Sequence, residues 1–311
     1  MFVELRFRQP ETWIKDIKLK QRIISALIAI PLFLAIILFA PQPVYLAFWH
    51  LCIIACSYEF FKIRGLSKIN SLILSVVMVG IISAFFIFVI APPLPDTLTP
   101  DDKFLLNLVR YIITAISAFL MISWCIIIPI FFKKYNKNQE FRINNILLFF
   151  MWFCIISCFF AFTQMWGQDP KFGNMRYALL SILVTIWAND AGAYFIGKKF
   201  GEHKFSPIIS PNKTWEGFWG GIFIATITLL TICLSVRWLG AGGFLVAFIF
   251  APIIAIFATI GDLFQSMLKR MAGVKDSGNI MPGHGGVFDR IDSWLAVGSM
   301  IAAFVGILVL K

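Results

Sequence analysis

Residues 275–293 read KDSGNIMPGHGGVFDRIDS. Lys275, Asp276, His284, Asp289, Arg290 and Asp292 stand within eighteen positions, with Gly278, Gly283, Gly285 and Gly286 between them. Glycines free the backbone and bare N–H groups that can wrap a phosphate. If a helix starts near Val287, Asp289 and Asp292 are i and i+3 and share one face. Paired carboxylates beside cations suit a hard divalent ion and a phosphorylated ligand. The plain alternative is that both aspartates complement the positive end of a helix. That accounts for one of them, but not for Arg290 between them or the histidine and glycines upstream. His284 could donate to phosphate or order the loop, and spacing does not choose between these.

Three further polar patches share this character. In WANDAGAYFIGKKFG, 187–201, Asp190 sits about seven residues before the expected end of an apolar run, roughly 10 Å along a helix. An ionisable group inside a membrane span is costly and faces a site or a partner. The competing role is a packing pair with Asn189 or an ion pair with Lys198 or Lys199. Gly192 and Gly197 would let another helix or a ligand come close. In SPNKTWEG, 210–217, Ser210, Lys213, Thr214 and Glu216 can form an anion cradle before a helix, or simply cap that helix. In GDLFQSMLKR, 261–270, Asp262 is expected to close a span, with Lys269 and Arg270 two turns on.

Asp190, Asp262, Asp289 and Asp292 thus come from three different apolar runs. Drawn together beside Lys213, Lys269, Arg270, Lys275 and Arg290, they would suit magnesium, one ion or two, and in-line displacement at phosphorus. There is no His/Cys cluster for zinc, no GxSxG elbow and no GxxxxGK[ST] loop. The six cysteines lie in apolar runs without zinc spacing and read as small packing residues.

The elements that must position these groups are membrane helices. The chain has 311 residues, 59% hydrophobic and only 14% charged, against roughly 25% charged for a soluble domain. Several runs exceed the ~20 residues needed to cross a hydrocarbon core. The expected fold is all-α and polytopic, with about nine transmembrane helices near 23–40, 43–61, 70–92, 105–132, 145–165, 177–197, 218–236, 243–261 and 293–310. With the N-terminus cytoplasmic, 21 of the 27 Lys and Arg fall in inner segments and six outside, as the positive-inside rule requires. The net charge of +11 is then largely topology and calls for no nucleic acid partner. The four patches all fall on the cytoplasmic side.

Three regions are expected: a basic cytoplasmic segment 1–22, N-terminal membrane helices 23–165 with little chemistry, and a catalytic membrane region 177–311. The first apolar run has no small-residue cleavage site behind it and reads as a first span, not a removed leader. Thr12 to Arg22 is either a basic helix on the membrane surface or a solvated lead-in. No internal repeat supports a transporter layout.

The run S266-M-L-K-R-x4-K275-D-S-G-x2-M-P-G-H284-G-G-V-F-D289-R-I-D292 closely resembles the signature of phosphatidate cytidylyltransferases, or CDP-diacylglycerol synthases. The resemblance covers about 180–293. Met281 stands where the family has Leu, Ile or Phe, and Asn212 where a lysine is frequent. The resemblance implies Mg²⁺-dependent transfer of a cytidylyl group from CTP to phosphatidate, releasing pyrophosphate. It implies Asp262, Asp289 and Asp292 as metal-binding and catalytic groups, with Lys213. Asp190, Ser210, Lys269, Arg270, Lys275, Asp276, His284 and Arg290 would contact substrates. It also implies a homodimer, with the site open to cytoplasm and lipid; the positive-inside bias and the absence of organelle targeting suit a bacterial plasma (inner) membrane. A CTP-dependent polyprenol or phytol kinase is the enzyme alternative, transferring the γ-phosphate instead. A transporter is a third, and predicts polar groups through the midplane.

Overall fold

The computed structural model describes residues 10–89, 99–138, 145–169, 173–236, 243–281 and 285–309. His284 therefore lies outside the described residues. Among them the chain forms nine α-helices: α1 (Pro10–Phe39), α2 (Gln42–Ile63), α3 (Lys68–Val89), α4 (Pro100–Lys137), α5 (Asn145–Gln164), α6 (Met175–Phe200), α7 (Trp215–Val236), α8 (Gly243–Met271) and α9 (Asp292–Val309). Hydrocarbon offers the backbone no hydrogen-bond partner, so apolar runs of this length must satisfy themselves as helices. Five helical stretches among the described residues are long and apolar enough to cross a membrane: Gln42–Ile63, Thr114–Lys137, Met175–Phe200, Trp215–Ser235 and Gly243–Met271. The protein is an all-α polytopic membrane protein. Two small antiparallel hairpins interrupt the helices, β1 (Gln168–Asp169) with β2 (Gly173–Asn174), and β3 (Lys204–Ser206) with β4 (Ser210–Thr214).

Three boundaries differ from the sequence expectation. α1 runs unbroken from Pro10, so the basic segment from Thr12 continues into the first apolar run as one helix. α8 does not end at Asp262 but continues to Met271. Leu263, Phe264, Met267 and Leu268 are all buried there, and this three-to-four spacing keeps an amphipathic helix going past the first charge. α9 starts at Asp292 rather than Val287, because Phe288–Arg290 form a separate 3-10 turn. Asp289 and Asp292 consequently do not share a face of one α-helix.

The last apolar run is a core element. Every residue from Ser293 to Ala303 is buried, as α9 packs between α4, α5 and α8. Near its start, aromatic rings from five helices meet. Trp49 of α2 lies 4.9 Å from Phe162 of α5, Phe33 of α1 lies 5.8 Å from Trp294 of α9, and Trp187 of α6 lies 6.5 Å from Trp294, centroid to centroid. Beyond this core, large apolar side chains such as Leu27, Phe119, Phe223 and Leu245 are exposed, the surface expected where lipid is the solvent.

At the end of α1, the guanidinium of Arg176 donates to the Leu38 and Ala40 carbonyls at 2.9 and 2.6 Å. It thereby caps a helix C-terminus, where a cation complements the dipole. α6 and α7 pack most closely of all, through small residues. A Cβ on Gly197 would lie 2.9 Å from Thr214 Oγ1, and one on Gly192 would strike Ile224, so of the helix or ligand that these glycines could admit, the structure places α7 and its cap against them. A Cβ on Gly221 would lie 2.7 Å from Asn189 Oδ1 and 2.9 Å from the Asn189 carbonyl. Gly221→Ala should therefore destabilise the detergent-purified protein by about 1–3 kcal/mol in thermal unfolding. Gly80→Ala, which meets nothing within 4 Å, should not. Equal effects would exclude close packing as the reason for the glycine.

Candidate functional site

The four patches converge on one cavity of about 910 Å³, within the range of small-molecule sites. Asp190 enters it from α6, Lys213 from β4, Asp262 from α8, Asp289 and Arg290 from the 3-10 turn, and Asp292 from the start of α9. Each group is placed by its element. Asp190 lies ten residues before the end of α6, so roughly 15 Å along the helix. Its carboxylate accepts from Ser293 Oγ at 3.2 Å and from Asn189 Nδ2 at 3.4 Å. Asp262 lies nine residues before the end of α8, accepts from Ser266 Oγ one turn on at 3.4 Å, and pairs with Lys213 Nζ at 2.5 Å. Asp292 Oδ1 accepts from the Ser293 N–H at 2.8 Å, in the first turn of its own helix.

Asp289 is the most firmly held. Lys269 Nζ sits 2.8 Å from its Oδ1, while the Ser277 and Gly286 N–H groups donate to its Oδ2 at 2.8 and 3.0 Å. Burial pushes this carboxyl up, but the three donors outweigh burial and hold it below the ordinary aspartate range. Gly285 adopts φ +85°, which favours glycine, and a Cβ there would lie 2.8 Å from Asp289 Oδ2.

The 210–217 patch forms half of a hairpin and then a helix cap. Thr214 Oγ1 accepts from the Gly217 N–H at 3.2 Å, which makes it the cap of α7. Glu216 reaches back to the β3–β4 hairpin, accepting from the Glu202 and His203 N–H groups and meeting His203 Nδ1 at 2.6 Å. Phe205 and Phe218 stack at 5.2 Å between centroids and give the cavity wall an aromatic face.

Other expected residues take other places. Lys269 stands behind Asp289 and faces it. Arg270, Lys275 and Asp276 are exposed and do not line the cavity, and Ser210 at the start of β4 does not line it either. Lys198, named only as a possible ion-pair partner of Asp190, and Lys204, not singled out at all, both line it. The larger omission is Glu59 of α2, which is fully buried and bonded to the 275–293 loop. The reasoning that marked Asp190, an acid inside an apolar run, applies to Glu59 equally.

The donor chemistry fits a magnesium ion only in part. Among the described residues no three His, Cys, Asp or Glu converge closely enough to hold an ion alone. Yet Asp190, Asp262 and Asp292 bear on one another electrostatically, and all face the same cavity. Asn189 Oδ1, beside them, is buried and without a hydrogen-bond partner among the described residues. Magnesium is commonly held by one or two carboxylates, completed by water and substrate phosphates. This set supplies that share.

A profile of the Cytidylyltransferase family matches residues 20–308. A phosphatidate cytidylyltransferase of Staphylococcus saprophyticus is 32% identical over 282 residues, covering 90% of this chain and 96% of that one. One of Bacillus subtilis is 30% identical over 284 residues, covering 90% and 95%. One of Staphylococcus aureus is 40% identical over 151 residues, covering 47% and 55%.

The hairpin contact can be read by titration. The hydrogen bond and charge of Glu216 hold the His203 imidazole above its ordinary pKa. A raised folded value means that the pair's contribution is complete below about pH 6.5, the unfolded value, and fades as pH rises through the folded one. In an NMR titration His203 should have a midpoint above ~6.5, and Glu216→Gln should bring it down. A midpoint unmoved by that substitution would contradict the pairing.

Proposed function

The chain belongs to the cytidylyltransferase family, and from that membership we propose that it transfers the cytidylyl group of CTP to phosphatidate, giving CDP-diacylglycerol and pyrophosphate. The observation that carries this reading is the meeting of Asp190, Lys213 and Asp262 with Asp289, Arg290 and Asp292 at one cavity. Relatives matched along nearly their whole length bear the same activity in their names.

A phosphate oxygen of phosphatidate attacks the α-phosphorus of CTP. The bond from that phosphorus to the α–β bridging oxygen breaks, and pyrophosphate leaves. The nucleophile is already an anion at neutral pH, so no strong general base is needed. The difficulty is bringing two polyanions together, and preorganised cations are the remedy. Lys198, Lys204, Lys213 and Arg290 all line the cavity. Asp262 orients the Lys213 ammonium toward it, while Lys269 is committed to Asp289. The aromatic face of Phe205 and Phe218 suits a planar base. Asp262, Asp289 and Asp292, with Asp190 beside them, are the groups that would hold magnesium, which would neutralise phosphate charge and polarise the reacting phosphorus.

The reading includes residence in a bacterial plasma membrane, nine spans with the N-terminus inside, and a cavity open to the cytoplasm, supported by the distribution of Lys and Arg. It also includes a homodimer, for which the resemblance is the support. The signature, cytoplasmic and lipid-facing, would form a catalytic region 177–311 carried by the helices of 23–165 and led by the basic segment 1–22.

Purified protein, phosphatidate, magnesium and CTP labelled in turn at the α- and γ-phosphates test the reaction. Label should enter lipid from the α-position only. Entry from the γ-position means a lipid kinase, and no entry excludes both. Lys213→Ala should lower kcat by about 10²–10³-fold with membrane insertion intact. Retained turnover would take Lys213 out of the site.

A further inference from the structure

Glu59 is unlike the other acids, because it faces protein and not the cavity. It lies in the last turns of α2 with its side chain fully buried, more than two hundred residues from the loop it contacts. Its Oε1 accepts from the Val287 N–H at 3.2 Å. Its Oε2 accepts from the Phe288 N–H and from Ser277 Oγ, both at 2.8 Å. Ser277 in turn gives its own N–H to Asp289. On the other side of the same residue, the buried Gln265 of α8 donates from Nε2 to the Phe288 carbonyl. Phe288, the residue before Asp289, is thus gripped at its N–H by α2 and at its carbonyl by α8.

The glycines of the loop report the same contact independently. A Cβ on Gly278 or on Gly286 would run into the Glu59 carboxylate. The loop is folded around that group so closely that no side chain fits at either position. The Phe288 ring seats 6.3 Å from Phe60, the residue after Glu59.

We infer that Glu59 is a positioning residue, which fixes Ser277, Val287 and Phe288 and through Ser277 and the Phe288 backbone sets the Asp289 carboxylate toward the cavity. It touches no substrate. The inference rests on the proposed cytidylyl transfer for its catalytic consequence only. Mechanically, a carboxylate with several backbone and hydroxyl donors in a dry environment is a stiff anchor. A loop rich in glycine needs one, since its own backbone loses much freedom on ordering.

The test compares Glu59→Ala, Glu59→Gln and Gln265→Ala in the full chain in detergent, by hydrogen exchange and by steady-state kinetics. Glu59→Ala should speed exchange at the Ser277, Val287 and Phe288 amides while leaving the amides of α6 unchanged. It should lower kcat by about 10–100-fold, as losses of such outer support commonly do, with KM for CTP little altered. Glu59→Gln keeps an acceptor for the Phe288 N–H and should recover most of the turnover. Gln265→Ala should loosen Phe288 and lower kcat in the same sense. Wild-type kcat in Glu59→Ala despite a loosened loop would overturn the inference, and so would loop amides that exchange as before. A global rise in exchange in Glu59→Ala shifts the decision to Glu59→Gln. There, kcat and loop protection that move together, both retained or both reduced, support the inference, and either one lost without the other overturns it. If the wild-type protein transfers no label, the proposed reaction fails, while the exchange pattern still decides whether Glu59 holds the loop.

Discussion

A carboxylate among apolar helices has to be met by donors on every side, and Asp289 is met by three. Its partner Lys269 is almost as enclosed, so the two charges depend on each other. Removing one member of such a pair commonly costs ~3–5 kcal/mol, because the other is left buried and unpaired. The surrounding architecture follows from satisfying this one group. α8 must run past Asp262 to deliver Lys269. The chain must turn at Gly285 to aim the Gly286 N–H inward, beside that of Ser277. The 3-10 turn must come before α9, not within it, so that the carboxylate faces back toward Ser277.

The apolar part of the chain has two solvents. One face of most helices meets lipid, so large exposed side chains are ordinary there. The other faces meet α9 and the aromatic cluster of Phe33, Trp49, Phe162, Trp187 and Trp294. Hydropathy sees both environments as the same. α9 reads as one more membrane crossing, yet from Ser293 to Ala303 every residue belongs to the core, and its polar start is carried into the cavity because this stretch is held by α4, α5 and α8.

The departures from the family signature are easily accommodated. Met281 contributes its N–H, donated to the Gly285 carbonyl at 2.9 Å, so any residue with that backbone group can close the loop. Asn212 lines the cavity, where a lysine would add one more cation to those already facing it from Lys198, Lys204, Lys213 and Arg290. The site is a balanced arrangement of charges from separate elements. The pairings of Lys213 with Asp262 and of Lys269 with Asp289 offset the repulsion among the gathered carboxylates.

Much of this was legible in sequence. Long apolar runs fix helices, because a bilayer allows no other backbone solution for them. The order of the helices, the role of Gly192 and Gly197, and the gathering of Asp190, Lys213, Asp262 and Asp289 followed from composition, spacing and resemblance. Hydropathy missed the ends of α8 and α9, since the true boundaries lie in amphipathic stretches where burial, not charge, decides. The motif assigned Lys275 and Asp276 to the cavity with their neighbours, although closeness along a glycine-rich loop says nothing of direction. Sequence reading passed over Glu59, an acid inside an apolar run, and could not have named its partner, because a contact between residues 59 and 288 has no local signature. Sequence alone determined that this chain folds as membrane helices bearing a phosphate-handling set of acids and cations. Only tertiary packing decided which of those acids face a ligand and which hold the loop, because that depends on where helices distant in the chain come to lie side by side.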